Sequence, residues 1–131
     1  MVVDTSVLIA VLNTEPNHEN LLDRMAEAPV IRVGAPTLLE AAMVLSQDAP
    51  GMEGDARWDL HRLLAEIDAI IVDFTEQHYQ AAADAFLRFG KGRHPAGLNY
   101  GDCMSYAVSA VCGEPLLYLG NDFSKTDILS A

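Results

Sequence analysis

Met1-Val2-Val3-Asp4-Thr5-Ser6 is the stretch from which the fold can be predicted. Its two valines are β-branched and favour a short strand, which ends at the carboxylate of Asp4. An apolar run from Val7 to Leu12 follows at once, and it predicts a helix that Thr5 or Ser6 caps. A short strand that leads directly into a helix is typical of α/β proteins.

The rest of the chain continues this alternation of short apolar strands and helices. Strands are predicted at 30–33, 69–72 and 115–119, and helices at 16–28, from Pro36 to Leu45, at 55–67, from about Thr75 to Phe89 and at 101–112. Residues 51–54 predict a turn, the glycine-rich loop 90–97 holds no regular element, and the end predicts a helical turn and a last short strand. This pattern favours a parallel sheet covered on both faces, which forms its sites beyond the carboxyl ends of the strands.

Length and charge restrict the class of protein. The chain has 131 residues, half of them hydrophobic, and a formal net charge of −11, so one domain spanning 1–131 with an ordinary core is expected. No apolar run approaches the roughly 18 residues of a membrane span, and no basic segment precedes a cleavable apolar one. We therefore expect a soluble, cytoplasmic protein without a membrane partner. Its negative charge opposes non-specific binding to nucleic acid, unless a local basic patch, a metal or a dimer groove offsets it.

Four carboxylates stand alone in neutral sequence. Each is the only charged residue of its window when His94 is counted as neutral: Asp4 in 1–14, Glu40 in 33–47, Asp102 in 94–113 and Asp122 in 115–124. Charged groups are rarely buried unless they are paired or bind a metal. Because Asp4 and Asp122 each follow a short strand, and Asp102 opens a helix after the glycine-rich loop, a parallel sheet could bring all four acids to one edge.

Each acid also has a structural alternative. Asp4 could cap the first helix, Asp102 could be a first-turn acid favoured by the helix dipole, and Asp122 could be a turn residue. Glu40 has the weakest alternative, because no cation lies three or four positions away on its helix. A structural role for all four together is much less expected.

Clustered carboxylates without histidine or thiolate partners suit Mg²⁺ or Mn²⁺ rather than zinc. Such ions promote phosphodiester hydrolysis, although the cluster does not identify the substrate. Residues 85–101 contain no acid but hold Arg88, Lys91 and Arg93, which is the basic stretch of the chain. Lys91 and Arg93 are candidates for substrate binding, and a solvated loop is an equally good interpretation.

Four motifs carry a resemblance to a known family: Val2 to Ser6, Leu38 to Leu45, Gly92 to Cys103, and Glu114 to Phe123. In this order and at this spacing, essentially the whole chain resembles the PIN-domain family, and specifically the VapC-type ribonuclease toxins of toxin–antitoxin pairs. The resemblance implies a three-layer α/β/α PIN fold with a central parallel sheet. It also implies a Mg²⁺- or Mn²⁺-dependent endoribonuclease that cuts RNA, forms a homodimer and is inhibited by a VapB-type antitoxin.

The resemblance also implies roles for individual residues. Asp4, Glu40, Asp102 and Asp122 match the acidic site of the family, where they would act as metal ligands and catalytic groups. Thr5 or Ser6 matches the hydroxyl beside the first acid, and Asn121 stands where some members have an acid.

Two other classes of function stay open from the residues alone. One is a receiver-like phosphoacceptor domain with Asp4 as acceptor, although Asp4 lacks the adjacent acid that such domains use. The other is a non-catalytic interaction module with a decayed site. Metal-dependent cleavage of RNA that Asp4→Ala abolishes would separate the enzyme from both.

Overall fold

The computed structural model describes residues 1–47 and 56–131, so the predicted turn at 51–54 and residue 55 of the predicted helix lie outside the described residues. The strands are β1 (Val2–Val3), β2 (Arg32–Gly34), β3 (Ile70–Val72) and β4 (Leu116–Leu117). The helices are α1 (Thr5–Leu12), α2 (His18–Ala26), α3 (Ala35–Gln47), α4 (Ala56–Glu66), α5 (Glu76–Phe89) and α6 (Tyr100–Cys112), with a 3₁₀ turn at Phe123–Lys125.

The strands form one parallel sheet in the order β3-β2-β1-β4. Val2 of β1 lies opposite Arg32 of β2 on one side and Leu116 of β4 on the other. The predicted central parallel sheet is therefore confirmed. Because β1 lies between β2 and β4, Asp4 at its carboxyl end is flanked by a strand on each side.

Both faces of the sheet are covered at β1 and β4, as the apolar strands predicted, whereas Ile70 and Ile71 of the edge strand β3 are 47% and 48% exposed. Val3 and Leu117 pack into a core with residues of α1, α2 and α4, whereas Val2 and Leu116 pack into a second core with α5 and α6. Successive residues of a strand point to opposite faces, so each two-residue strand serves both cores. These layers confirm the α/β/α architecture. No helix among the described residues is long and apolar enough to cross a membrane.

The boundaries differ from the prediction where capping and pairing decide them. Neither Thr5 nor Ser6 caps α1: the cap is Asp4, whose side chain accepts a hydrogen bond from the backbone of Ser6, and both hydroxyl residues lie inside the helix. The strand predicted at 115–119 is limited to Leu116–Leu117, because β1 offers only two residues to pair with it. The predicted last strand is a single bridge from Ser130 to Leu116.

Candidate functional site

An open cleft of about 460 Å³ lies at the carboxyl end of β1. Its polar lining comprises Asp4, Thr5, Ser6, Glu15, Glu40 and Asp102, and its apolar lining includes Ile9, Val44 and Leu119. Three of the four isolated acids therefore meet at the edge of the sheet where an α/β fold forms its sites.

Asp4 is held by the start of α1. Its side chain is only 5% exposed, and its Oδ2 accepts hydrogen bonds from the backbone N–H of Ser6 at 3.0 Å and the hydroxyl of Ser6 at 2.6 Å. The same hydroxyl accepts a bond from the backbone N–H of Leu119 at 3.1 Å, just beyond β4. Ser6 thus fixes Asp4 and ties together the carboxyl ends of two neighbouring strands.

Glu40 reaches the cleft from α3. The hydroxyl of Thr5 donates a hydrogen bond to Glu40 Oε2 at 2.7 Å. The carboxylate also lies directly against Gly101 of α6, where an added Cβ would overlap all three atoms of the carboxyl group. A side chain at position 101 would therefore displace the Glu40 carboxylate from the first turn of α6, where the helix dipole favours a negative group.

Asp102 is both a first-turn acid and a member of the cleft. Its Oδ2 accepts a bond from the backbone N–H of Asn99 at 2.8 Å, and its own N–H donates to Asn99 Oδ1 at 2.9 Å, which makes a reciprocal cap of α6. Burial raises the pKa of Asp102, and the negative charges of Asp4, Asp122 and Glu40 raise it further, against the lowering effect of the Asn99 bond.

Asp122 occupies a different position from the other three acids. It is exposed in the turn before the 3₁₀ segment and does not belong to the lining of the cleft, although its charge contributes to the raised pKa of Asp102. Asn121 is exposed as well, and its backbone carbonyl accepts a bond from the hydroxyl of Ser124 at 2.7 Å. The predicted cluster of four acids is thus three acids in a cleft with a fourth beside them.

The basic stretch is a separate surface outside the cleft lining. Lys91 and Arg93 are exposed, and the guanidinium of Arg93 lies 5.5 Å from the ring centre of Phe86. Lys125 joins them from the end of the chain, because its ammonium donates to the carbonyl of Pro95 at 3.2 Å. We call Lys91, Arg93 and Lys125 the basic loop surface.

Glu15 lines the cleft but was missed by sequence reasoning. It follows α1 in a turn where Thr14 has a positive φ of 49° and Glu15 N–H bonds to the carbonyl of Ala10. Glu19 and Asp23 lie close by in sequence, so Glu15 looked like part of a solvated acidic face. Isolation among neutral residues, the signal that located the other acids, could not find it.

The donor set of the cleft fits a hard divalent cation. In the hydrogen bonds formed among the described residues, Asp4, Glu40 and Asp102 each use one carboxylate oxygen for positioning and keep the other available. No lysine or arginine belongs to the lining. Across 1–47 and 56–131, no three His, Cys, Asp or Glu side chains form a ready-made metal cage. Mg²⁺ does not need one, because it keeps several waters and commonly uses one or two carboxylates.

Comparison with known proteins extends over nearly the whole chain. The family model described as PIN domain matches residues 1–129. Ribonuclease VapC of Mycolicibacterium smegmatis is 43% identical over 128 residues, which cover 98% of this chain and 97% of that protein. Ribonuclease VapC36 of Mycobacterium tuberculosis is 42% identical over 131 residues, which cover 98% of this chain and 91% of that protein.

Solved structures show the same fold. The crystal structure of Mycobacterium tuberculosis VapC20, a sarcin-ricin loop cleaving toxin, matches with a TM-score of 0.77 at 19% identity, covering 99% of this chain and 97% of that one. VapBC2 from Rickettsia felis, bound to a DNA fragment from its promoter, matches with a TM-score of 0.77 at 15% identity, covering 98% and 94%. These two likenesses concern the fold alone. The match of the PIN-domain model to residues 1–129 and the 42–43% identity to VapC ribonucleases show that the chain belongs to the PIN-domain family, in its VapC group.

Proposed function

We propose that this protein is a metal-dependent endoribonuclease and the toxin of a VapBC-type toxin–antitoxin pair. Relatives that are about 40% identical over nearly their full length are named ribonucleases. The observation that carries the proposal is the cleft in which Asp4, Glu40 and Asp102 meet with no lysine or arginine in the lining. Neither a receiver-like domain nor a decayed interaction module is favoured by these findings.

In this proposal Mg²⁺ or Mn²⁺ would be held directly by one or two of the carboxylates of Asp4, Glu40 and Asp102 and through bound water by the rest, with Asp122 contributing from beside the cleft. When bound, such an ion supplies Lewis-acid stabilisation of the charge on a phosphodiester. The neighbouring side chains keep the acids in position: Ser6 holds Asp4, Thr5 holds Glu40, and the Asn99 backbone holds Asp102. Asn121 is a supporting residue through its place next to Asp122.

RNA has to approach a protein with a net charge of −11. We assign the phosphate contacts of the substrate to Lys91 and Arg93, because both are exposed and Lys125 adds a third positive charge to the same loop. Phosphate contacts of this kind supply a large share of the affinity for nucleic acid.

The inhibitory partner in this proposal is a VapB-type antitoxin, and the toxin itself is a homodimer. The solved VapBC2 pair of Rickettsia felis supports the existence of such a partner. Carboxylates that lack a cation accept a guanidinium in a bidentate manner, so the cleft suits an arginine of the antitoxin.

Two substitutions test the proposal without removing a helix cap. Asparagine also caps helices well, so Asp4→Asn should keep α1 intact, and in Asp102→Asn the amide oxygen can still accept the bond from the Asn99 cap of α6. We expect each to lower RNA cleavage on the order of 10²- to 10³-fold, the scale known for removing one electrostatic stabiliser, and to abolish growth toxicity on expression. Cleavage by the unaltered protein should also stop in chelator and return with Mg²⁺ or Mn²⁺.

The matched control is Asp84→Asn, which neutralises an exposed acid on α5 away from the cleft. It should cleave RNA and arrest growth like the unaltered protein. Full toxicity of a folded Asp4→Asn or Asp102→Asn protein would overturn the proposed site.

A further inference from the structure

An aromatic side chain stands in water beside the acidic cleft. Tyr100 is 80% exposed, although burial of an aromatic ring is among the larger favourable terms in folding. It is the first residue of α6. The next residue, Gly101, lies against the Glu40 carboxylate, and the one after it is Asp102. Tyr100 takes part in none of the aromatic or cation–π contacts formed within the described part of the chain.

The backbone connects Tyr100 to the basic loop surface. Lys91 N–H bonds to the carbonyl of Leu98 at 3.0 Å, and Leu98 N–H bonds to the carbonyl of Phe89 at 3.0 Å, which closes the loop at its base. Tyr100 follows Leu98 by two residues, a span of at most roughly 7 Å. Tyr100 therefore lies on the short segment of chain that leads from the basic loop surface to Gly101 and Asp102 at the cleft.

The negative charge of the cleft favours contacts with RNA that do not depend on charge. The cleft is lined by acids and repels phosphate, so it cannot attract RNA by charge alone before a metal binds. Binding energy has to come from the basic loop and from contacts that do not depend on charge. Proteins that bind single-stranded nucleic acid obtain the second kind by stacking bases on exposed aromatic rings.

We propose that Tyr100 stacks on a base of single-stranded RNA next to the bond that is cut, while Lys91 and Arg93 contact phosphates on the adjoining nucleotides. This inference rests on the proposed ribonuclease function and assigns to Tyr100 the contact with a base of the substrate. Stacking uses the ring and not the phenol hydroxyl. Tyr100 is thus a binding residue that positions the substrate, and the chemistry remains with the carboxylates.

The test compares three variants with the unaltered protein: Tyr100→Ala, Tyr100→Phe and, as a matched control, Tyr79→Ala. Tyr79 is 64% exposed on α5 and provides the same loss of an exposed ring away from the cleft. The probe is a fluorescently labelled single-stranded RNA of about 12 nucleotides, with fluorescence anisotropy in chelator to measure Kd and cleavage in Mg²⁺ to measure kcat/KM. We expect Tyr100→Ala to weaken binding by about 5- to 100-fold and to lower kcat/KM in parallel.

Tyr100→Phe should stay close to the unaltered protein in both measurements, as should Tyr79→Ala. RNA that carries 5-iodouridine should crosslink to position 100 on irradiation and to no other aromatic residue near the cleft. Thermal melts of all variants should coincide, because an 80% exposed ring contributes little to the core.

The outcomes separate this inference from the proposed function. If the unaltered protein cleaves RNA but Tyr100→Ala behaves like Tyr79→Ala, the stacking role is wrong and the ribonuclease function stands. If Tyr100→Phe loses as much binding as Tyr100→Ala, the hydroxyl is the important group and stacking is again overturned. If the unaltered protein neither binds nor cleaves RNA, both proposals fail together.

Discussion

At the scale of the single residue, Asp102 combines a structural and a chemical role at a cost in stability. Its pKa is raised in the folded protein by burial and by three neighbouring negative charges. An acid whose folded pKa is raised binds its proton more tightly in the folded than in the unfolded state, so folding stability falls as pH rises through the folded pKa. Below the ordinary pKa of aspartate, about 3.9, this cost is absent.

We therefore expect Asp102→Asn to melt at a higher temperature than the unaltered protein at pH 7 in chelator. The amide oxygen still accepts the bond from Asn99, so the cap of α6 is preserved. The advantage should shrink as the pH falls towards 4, and millimolar Mg²⁺ should reduce it at pH 7 by binding the native site. Asp84→Asn serves as the control. Equal melting temperatures of Asp102→Asn and the unaltered protein at every pH would contradict the raised pKa of Asp102.

At the scale of the elements, the contact between α3 and α6 depends on Gly101. Replacement of a helical glycine by alanine ordinarily stabilises a protein by roughly 0.5–1 kcal/mol. Here the added methyl group would overlap the Glu40 carboxylate, which ends a flexible side chain and can turn away. We therefore expect Gly101→Ala to displace Glu40 from the hydroxyl of Thr5 and to lower RNA cleavage, while the free energy of unfolding changes by less than about 1 kcal/mol, because the lost hydrogen bond offsets the gain from alanine. Urea unfolding and RNA cleavage, measured on the same variant, separate the two effects.

A double-mutant cycle identifies the cause. In a Glu40→Ala background the overlap is gone, and Gly101→Ala should show the full stabilisation of a helical alanine. The same change in unfolding free energy in both backgrounds would mean that the added methyl group does not act through Glu40.

The elements also show how far sequence reasoning reaches. The strand–helix alternation predicted the parallel sheet, and its two covered faces follow from β1 and β4, whose successive residues pack into different cores. The isolation of Asp4, Glu40 and Asp102 in neutral sequence predicted a common location, and they line one cleft. Glu15 and Lys125 were not predicted, since each reaches its place through a tertiary turn or contact that leaves no local pattern. Strand lengths were overestimated because pairing partners, and not apolar content, limit them.

At the scale of the whole molecule, positive charge is scarce and concentrated. The chain has eight Lys and Arg residues against nineteen Asp and Glu, and Lys91, Arg93 and Lys125 gather on one surface. A substrate that binds there displaces counterions, so its affinity should depend steeply on salt. We expect the double substitution Lys91→Ala with Arg93→Ala to reduce the slope of log K against log salt by about 1.4 for single-stranded RNA.

Arg62→Ala is the control for this measurement. Arg62 is exposed on α4 and paired with Asp59 at 3.2 Å. Its replacement removes one positive charge, as each of the two loop substitutions does, but leaves the loop unchanged. The salt slope of this variant should equal that of the unaltered protein. An unchanged slope in the double variant would mean that Lys91 and Arg93 do not contact phosphates and that the loop is an ordinary solvated surface.

The contact between Glu40 and Gly101 also bears on how inactive copies of this site can be recognised during evolution. A copy of the gene that loses Glu40 gives up the site but keeps its fold, and position 101 is then free to accept alanine. A copy that acquires alanine at 101 first displaces the glutamate without removing it. A chain with alanine at 101 should therefore be inactive even where all four acids are still present, so that counting acids alone would overestimate the number of working copies in a genome.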